Sequence, residues 1–436
     1  MGKKIRKKLI TVEHLARVEG RGMIEVEREG GKVKARVRLV EGPRFFEYIT
    51  RGKPYDVAVE MYSRICAICS ASHKITPILA TEKAFGVEVG PLTKLLRKLL
   101  VYASFIESHS LHVFLLALPD FLGYPDAISM ADKYGTEVSK GLMMKKTANF
   151  IQSMIGGRDI HHENAVVGGF GRIPSREEFD KAYRMLEEIR ETAKVAIDIL
   201  ASLEMPPFIK DEYIHVALKQ NEQFDAFGDV VASTSGVKFP VEKYREYLIE
   251  RPISHSFAKF AYLEDKPFMV GALSRLAING DKLWGESLKI YKELVSDGKI
   301  HFDNAFYNNI AQAVELLYFI DASLEIIRKI LDMPLDNDRV YVEPKAGVGA
   351  AITEAPRGII SYYLEYDEKG EVVFADLVTP TAYNFNIMFR DVENMGSRIV
   401  LENPDIEDEE LVKYLEMVPR AYDPCISCSV HLVREV

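Results

Sequence analysis

Only four cysteines occur in the 436-residue chain, and they form two spaced pairs, Cys66-Ala67-Ile68-Cys69 and Cys425-Ile426-Ser427-Cys428. No cysteine lies between residues 69 and 425. Two CxxC pairs with no thiol left over read as one four-thiolate metal centre assembled from both ends of the chain. Residues three apart on a helical turn carry Cβ atoms ~5–6 Å apart, so each pair can offer both sulfurs to one ion. Thiolates are soft donors, which leaves zinc, iron–sulfur, copper(I) and nickel open and disfavours magnesium and calcium. A structural zinc site usually gathers its ligands from a short stretch, and a thioredoxin-like redox pair accounts for one CxxC but not two. The spacing therefore predicts a soft-metal site closed by the C-terminal segment.

Composition bounds the setting of that site. Apolar residues make up 47% and charged residues 28%, the balance of a globular protein rather than of a fibrous, disordered or disulfide-stapled one. Acidic residues outnumber basic ones, 65 to 56, for a net charge of −9. That surface argues against nucleic acid as a partner, and the short basic start Lys3-Lys4-Ile5-Arg6-Lys7-Lys8 reads as a solvated tail. No apolar core of a secretory signal follows it, so the expected location is the cytoplasm. The most apolar stretch, 95–118, is interrupted by Arg97, Lys98, Glu107, His109 and His112, which predicts a buried helix rather than a bilayer span of ~20 apolar residues.

The elements that must position the cysteines follow from periodicity. Residues 9–42 alternate as β-structure, with 23–27 and 33–40 flanking a turn at Gly30-Gly31. A helical pattern from Asp56 to Phe85 carries the first pair, and further helical patterns cover about 92–118, 134–157, 176–203 and 308–332. In the last, Ile310, Ala313, Val314, Leu317 and Ile320 fall on one face. Residues 338–380 return to strands around the turn Asp367-Glu368-Lys369-Gly370, and a helix at about 406–418 precedes the last motif. The fold class is mainly α with small β elements: a bundle of long helices, a β-hairpin near the N-terminus, and short strands before the C-terminal motif. No repeat or linker divides it, so 1–436 reads as one domain, with a β region at 1–55, the helical bundle at 56–335 and a C-terminal region at 336–431. Gly168-Gly169-Phe170-Gly171 and Gly347-Val348-Gly349 match neither the dinucleotide fingerprint nor the P-loop. Any nucleotide cofactor is therefore expected on another polypeptide.

Longer motifs around the cysteines carry a family likeness. Arg64-Ile65-Cys66-Ala67-Ile68-Cys69-Ser70-Ala71-Ser72-His73 resembles the front metal-binding motif of nickel–iron hydrogenase large subunits. Asp423-Pro424-Cys425-Ile426-Ser427-Cys428-Ser429-Val430-His431 resembles their terminal motif. Between them, in the family's order, stand Arg17-Val18-Glu19-Gly20, Gly42-Pro43-Arg44-Phe45-Phe46-Glu47, 161–169, Glu354-Ala355-Pro356-Arg357-Gly358 and Thr379-Pro380-Thr381-Ala382-Tyr383-Asn384. Phe45-Phe46-Glu47, the Ser-Ala-Ser-His run and Cys-Ile-Ser-Cys-Ser-Val-His look most like the cytoplasmic NAD(P)-linked bidirectional, sulfhydrogenase-type enzymes. The related respiratory complex I subunit lacks the cysteine pairs, so their presence disfavours that relative.

The resemblance implies a catalytic subunit for H2 ⇌ 2H⁺ + 2e⁻ and a role for each matching residue. Cys66, Cys69, Cys425 and Cys428 would ligate nickel, and Cys69 and Cys428 would also bridge to an iron carrying carbon monoxide and cyanide. Arg357 would overhang the open metal position, its planar cation not replaceable by lysine; on local sequence alone it is an arginine in a Pro-Arg-Gly turn. Glu19 would be the first proton carrier from a terminal cysteine sulfur, where the bland reading is an exposed hairpin glutamate. His73 would hydrogen-bond a cysteine sulfur, though an isolated helical histidine is usually a core residue. Thr381 would donate to a cyanide, Pro380 would shape the pocket around the diatomic ligands, and Asp423 would bond to Arg357 rather than merely opening an Asp-Pro turn. Glu47, the Leu377 backbone carbonyl and His431 would hold magnesium (or ferrous iron) at a second site.

Two departures from the family matter. Many relatives carry an aspartate, paired with the arginine, where Ser108 stands, so the orientation of Arg357 would fall to Glu107 or Asp423. Five residues, 432–436, follow His431, and the resemblance implies that a maturation endopeptidase removes them once nickel-insertion proteins have loaded the site. With all four cysteines committed, this chain has no thiols for an iron–sulfur cluster. The implied partners are a small subunit with iron–sulfur clusters, a flavin- and NAD(P)-binding diaphorase and a further iron–sulfur subunit. The rival expectation is a non-catalytic relative or unloaded precursor with a zinc or empty four-cysteine site, which metal analysis separates.

Overall fold

A computed structural model describes residues 8–29, 32–207 and 212–430. Near the N-terminus, strands Gly22–Glu29 and Lys32–Leu39 pair antiparallel from Gly22↔Leu39 to Glu29↔Lys32, and Lys8–Val12 pairs with the first of them. Ile24, Val26, Ala35 and Val37 point inward and are fully buried, as the alternating pattern requires. The expected turn residues Gly30-Gly31 and the basic start lie outside the described residues. This sheet packs on a long helix, Pro380–Glu402.

Four long helices, Pro91–Leu111, Ala127–Gly156, Arg176–Ser202 and Asn308–Leu331, pack side by side and form most of the core. Their starts are encoded locally. Ser175 and Glu178 make a reciprocal capping box, Asp126 accepts the Ser129 N–H at 2.7 Å, and Pro91 occupies the first turn where its missing N–H costs nothing. The helical pattern expected from 134 begins instead at Ala127, and Tyr134 marks a kink within the helix. One helical run, Pro91–Leu122, is long and apolar enough to cross a membrane, but 83% of its apolar window is buried inside the protein, so it serves as core.

Three local expectations need correction. The helical pattern from Asp56 to Phe85 is two helices, Tyr55–Tyr62 and Ser70–Phe85, and both front cysteines sit in the break between them. The stretch expected to be helical bundle contains strands: Val216–Leu218, Val230–Ser233 and Lys238–Pro240 form one sheet, and Leu248–Arg251 pairs with Phe260–Leu263. Strands of three or four residues are too short to show a period in the sequence. The Pro380–Glu402 helix was hidden by its own motif, although Thr379 before Pro380 is an ordinary helix start.

The C-terminal sheet, Gly347–Ala355, Gly358–Tyr366 and Val372–Val378, lies against the Ser70–Phe85 helix. Contact is backbone to backbone at Gly349, where an added Cβ would stand 1.9 Å from the Ala80 carbonyl oxygen. Gly349→Ala therefore pushes the sheet off the helix that follows Cys69. The expected cost is ~1–3 kcal/mol, read as a lowered Tm of the purified chain; an unchanged Tm would show that this close approach is not needed.

Candidate metal centre

The front cysteines hang from the break after Tyr62, where the Cys69 N–H donates to Cys66 Sγ at 3.3 Å and Cys69 precedes the Ser70–Phe85 helix. In the rear pair, Cys425 caps the start of a short helix, Ile426–Ser429, and Cys428 lies within it. Glu19 joins the N-terminal segment to the rear pair: its backbone bridges Cys425 in parallel, and its carbonyl accepts the Ile426 N–H at 2.9 Å. Gly20, at φ 84°, makes that approach possible, because a Cβ there would meet the Ile426 side chain and the Ser427 nitrogen at 2.8 Å. Arg44 ties front to rear, its Nη2 donating to the Ile65 carbonyl at 2.5 Å and to the Ser427 carbonyl at 2.8 Å.

The two ends of the chain thus converge. All four sulfurs lie within 4.8 Å of one another and are buried. Cys66 stands 3.2 Å from Cys425, Cys69 3.7 Å from Cys428, and Cys425 2.8 Å from Cys428. Burial drives the Cys425 and Cys428 thiols well up, whereas Cys66, despite its own burial, is held low by hydrogen bonds from Cys425, Cys428 and Cys69. The protein alone therefore cannot keep four thiolates together, and a soft cation is the group that would. Two buried nitrogens next to the sulfurs, Arg357 Nη1 and His73 Nε2, have no partner among the described residues. A metal centre bearing acceptor ligands fits both the thiol set and these orphaned groups.

Arg357 occupies the tip of a two-residue hairpin, since Ala355 pairs with Gly358 across Pro356-Arg357. Its Nη2 donates to Asp423 Oδ1 at 2.8 Å and its Nε to the Asp423 carbonyl. Burial opposes the charge, but Asp423 and the sulfurs of Cys425, Cys69 and Cys66 hold the guanidinium above its ordinary range. Of the two carboxylates expected to stand in at the Ser108 position, Asp423 meets the arginine; Glu107 instead binds Lys145 at 2.9 Å and Gln152 at 2.6 Å. Glu19 Oε2 accepts from Cys425 Sγ at 3.1 Å, and Ser427 holds the carboxylate through its N–H at 3.1 Å and its hydroxyl at 2.5 Å. Thr381 Oγ1 accepts the Cys425 N–H at 2.8 Å, and Pro380 stands beside it at the start of its helix.

The remaining expected residues are placed differently. His73 makes its hydrogen bond to the Tyr362 hydroxyl at 2.7 Å rather than to a cysteine sulfur. Burial brings its pKa down to about 4, Cys66 opposing and Arg44 assisting, so the ring is neutral. Glu47 and Leu377 meet through the Leu377 N–H, which donates to Glu47 Oε1 at 3.2 Å; the Leu377 carbonyl is expected as a ligand of the second metal, not as a partner of Glu47. Burial raises the Glu47 carboxyl to about 8 against the attraction of Lys259, and its Oε2 lacks a partner among the described residues. His431 and the 432–436 tail lie outside the described residues. Sequence reasoning did not single out Arg44, Ser427 or Gln312, whose Nε2 donates to Asp423 Oδ2 at 3.2 Å. For the first two, the flanking motifs were the available signal.

Comparison with known proteins agrees with this geometry. The family described as nickel-dependent hydrogenase matches residues 44–142 and 238–431. Sulfhydrogenase 1 subunit alpha of Pyrococcus furiosus is 40% identical over 98% of each chain, and sulfhydrogenase 2 subunit alpha of the same organism is 37% identical over 98% of this chain and 100% of its own. The solved structure of an NAD⁺-reducing [NiFe]-hydrogenase in the H2-reduced state superposes with a TM-score of 0.87 at 25% identity, covering 97% of this chain and 99% of that one. With its cysteine pairs converging as described, the chain belongs to the nickel-dependent hydrogenases, as a catalytic large subunit.

Proposed function

We propose that this subunit exchanges H2 with two protons and two electrons at a nickel–iron centre that Cys66, Cys69, Cys425 and Cys428 would hold, of which Cys69 and Cys428 would also serve the iron, with carbon monoxide and cyanide as its further ligands. When bound, that centre supplies the two-electron redox chemistry, and the protein supplies fixed charge and a proton route. Arg357 presents a permanent cation with one buried nitrogen uncommitted among the described residues. Cys425 Sγ hands its proton to Glu19 Oε2 across 3.1 Å, and the half-buried carboxylate carries it outward. The Thr381 hydroxyl, accepting from the Cys425 N–H, keeps its own O–H for a cyanide, and Pro380 closes the same side. His73 Nε2, without a partner among the described residues, would serve the centre as a donor when Tyr362 donates to Nδ1. Glu47, the Leu377 carbonyl and His431 would hold magnesium or ferrous iron at a second site.

The electron route follows from cysteine economy. With four thiols at one centre, electrons leave through a small subunit with iron–sulfur clusters and reach NAD(P)⁺ on a flavin subunit, a further iron–sulfur subunit between them. The relatives named for sulfhydrogenase and NAD⁺-reducing activity support this reading. Phe45, Tyr48 and Ile49 are exposed beside Arg44, which reaches both cysteine segments, and they offer the small subunit an apolar face. Four free thiols suit the reducing cytoplasm.

The observation that carries the proposal is the single buried cluster of four sulfurs with Glu19 bonded to one of them and Arg357 anchored alongside. The test is H2-dependent reduction of NAD⁺, NADP⁺ and a deazaflavin, measured separately on the native complex, with nickel, iron and zinc content in the same preparation. Nickel and iron with pyridine-nucleotide reduction support it; zinc alone, or no H2 uptake, overturns it. The mature chain is expected to end at His431, its tail removed after nickel loading, and mass spectrometry of active enzyme with residues 432–436 still attached would refute that step.

A further inference from the structure

The Asn308–Leu331 helix buries a polar stripe that the mechanism above leaves unused. Asn308, Gln312 and Glu315 follow the i, i+4, i+7 spacing of one helix face and are 3%, 0% and 0% exposed. Buried polar side chains are costly unless paired, and each of these reaches toward the segments that carry Asp423 or Arg357. Asn308 Nδ2 donates to the Ala421 carbonyl at 2.9 Å. Glu315 takes Arg275 Nε and Nη2 at 2.6 and 2.7 Å and faces His109 Nε2 at 2.8 Å. Arg275 places its other N–H groups on Glu354 at 2.9 Å and on the Ala355 and Pro356 carbonyls at 3.0 and 2.9 Å. Those two carbonyls immediately precede Arg357.

Gln312 is the joint of this stripe. Asp423 holds the Arg357 guanidinium with Oδ1, yet its own backbone sits at φ 50°, a conformation that residues other than glycine adopt at a cost. Its orientation therefore needs outside support, and Gln312 Nε2 supplies it at Oδ2. His112 spans the Gln312 amide and the Arg420 carbonyl, its Nδ1 2.5 Å from Oε1 and its Nε2 2.7 Å from the carbonyl oxygen; with both ring nitrogens donating, the amide is held with its NH2 toward Asp423. His112 opens the wide turn His112–Ala117, an i→i+5 irregularity of the kind found in helices at functional sites.

We propose that Gln312 is a positioning residue for the hydrogen reaction: it fixes Asp423, and through Asp423 the Arg357 guanidinium, while His112 sets the direction of its amide. This rests on the reading of Arg357 as the cation beside the centre. Gln312→Glu changes one atom. The introduced carboxyl faces Asp423 and His112, with Glu315 one turn along the helix and Arg357 behind Asp423. Protonated, it donates to Asp423 as the amide does; ionised, it repels that carboxylate. In the native complex, the ratio of Gln312→Glu to wild-type H2-driven viologen reduction should fall by about tenfold between about pH 5.5 and about pH 8.5. Gln312→Leu should lose about tenfold throughout, with nickel retained and the nickel electron paramagnetic resonance spectrum shifted. Added to Arg357→Lys, it should cost less than about twofold more, because both act through one group. A pH-independent ratio, additive losses, an unshifted nickel spectrum or nickel lost from both variants would overturn the positioning role. Full activity of Arg357→Lys would instead remove the reading of Arg357 itself, and the two failures are distinguishable.

Discussion

Glu19→Gln should slow steady-state H2 oxidation by ~10²–10⁴-fold, the contribution typical of a positioned proton carrier, while nickel content and Tm stay at wild-type values. The amide keeps the carboxylate's shape: its oxygen can still accept from the Ser427 N–H and its NH2 can donate to the Ser427 hydroxyl oxygen, so the parallel bridge between Glu19 and Cys425 has no reason to open. What it loses is the capacity to take a proton at the oxygen 3.1 Å from Cys425 Sγ. Dye-linked H2 oxidation on the purified complex measures the rate, and elemental analysis of the same preparation measures the nickel. A rate within about twofold of wild type would mean that the proton leaves by another route. Loss of nickel would mean that Glu19 serves to close the site rather than to carry protons. The variant is informative because Glu19 is joined to the centre by a side-chain contact and by an independent backbone contact, and only the first is altered.

Legibility of this molecule from sequence tracks the range of the information. The cysteine pairs were readable because soft-donor chemistry needs that residue type at that spacing, and their convergence was required once no other thiol existed. Arg176–Ser202 was readable from its capping box and apolar period, both local. The break between Tyr55–Tyr62 and Ser70–Phe85 was not, because its support comes from Arg44, which grips the Ile65 carbonyl from outside the apolar pattern. His73 was readable as a buried neighbour of the centre but not as the partner of Tyr362, which comes from a strand far along the chain. The stripe Asn308, Gln312, Glu315 lay in view as three polar residues on one helix face. Such a face ordinarily meets water, and only the packing of the Asn308–Leu331 helix against Pro91–Leu111, Arg176–Ser202 and the C-terminal segment puts it inside. The Ser108 departure was legible as a question. The answer, Asp423 with Gln312 behind it, needed the fold to bring the hairpin tip and the end of the chain together.

Arg357→Lys should keep the metal and lose ~10²–10³-fold of the H2-oxidation rate, the effect of removing a preorganised charge from a water-excluded site. No cysteine contacts Arg357 through a hydrogen bond, and the hairpin that carries it is fixed by the Ala355–Gly358 pair and by Arg275 on the Ala355 and Pro356 carbonyls. The backbone should therefore hold with lysine in place. The guanidinium performs two tasks at once: Nε and Nη2 engage Asp423, and Nη1 remains without a partner among the described residues. A lysine ammonium is a single point charge, so the position that satisfies Asp423 is not the position Nη1 occupies. The rate is measured as dye-linked H2 oxidation and the metal by elemental analysis, with Tm as the control for folding. A variant that retains nickel, folds and turns over within about threefold of wild type would show that cationic charge alone suffices there and that the fork geometry is incidental. Nickel loss would assign Arg357 to holding the terminal motif in place. The predicted combination, metal kept and rate lost, is the one that requires the free nitrogen beside the sulfurs to act on what binds there.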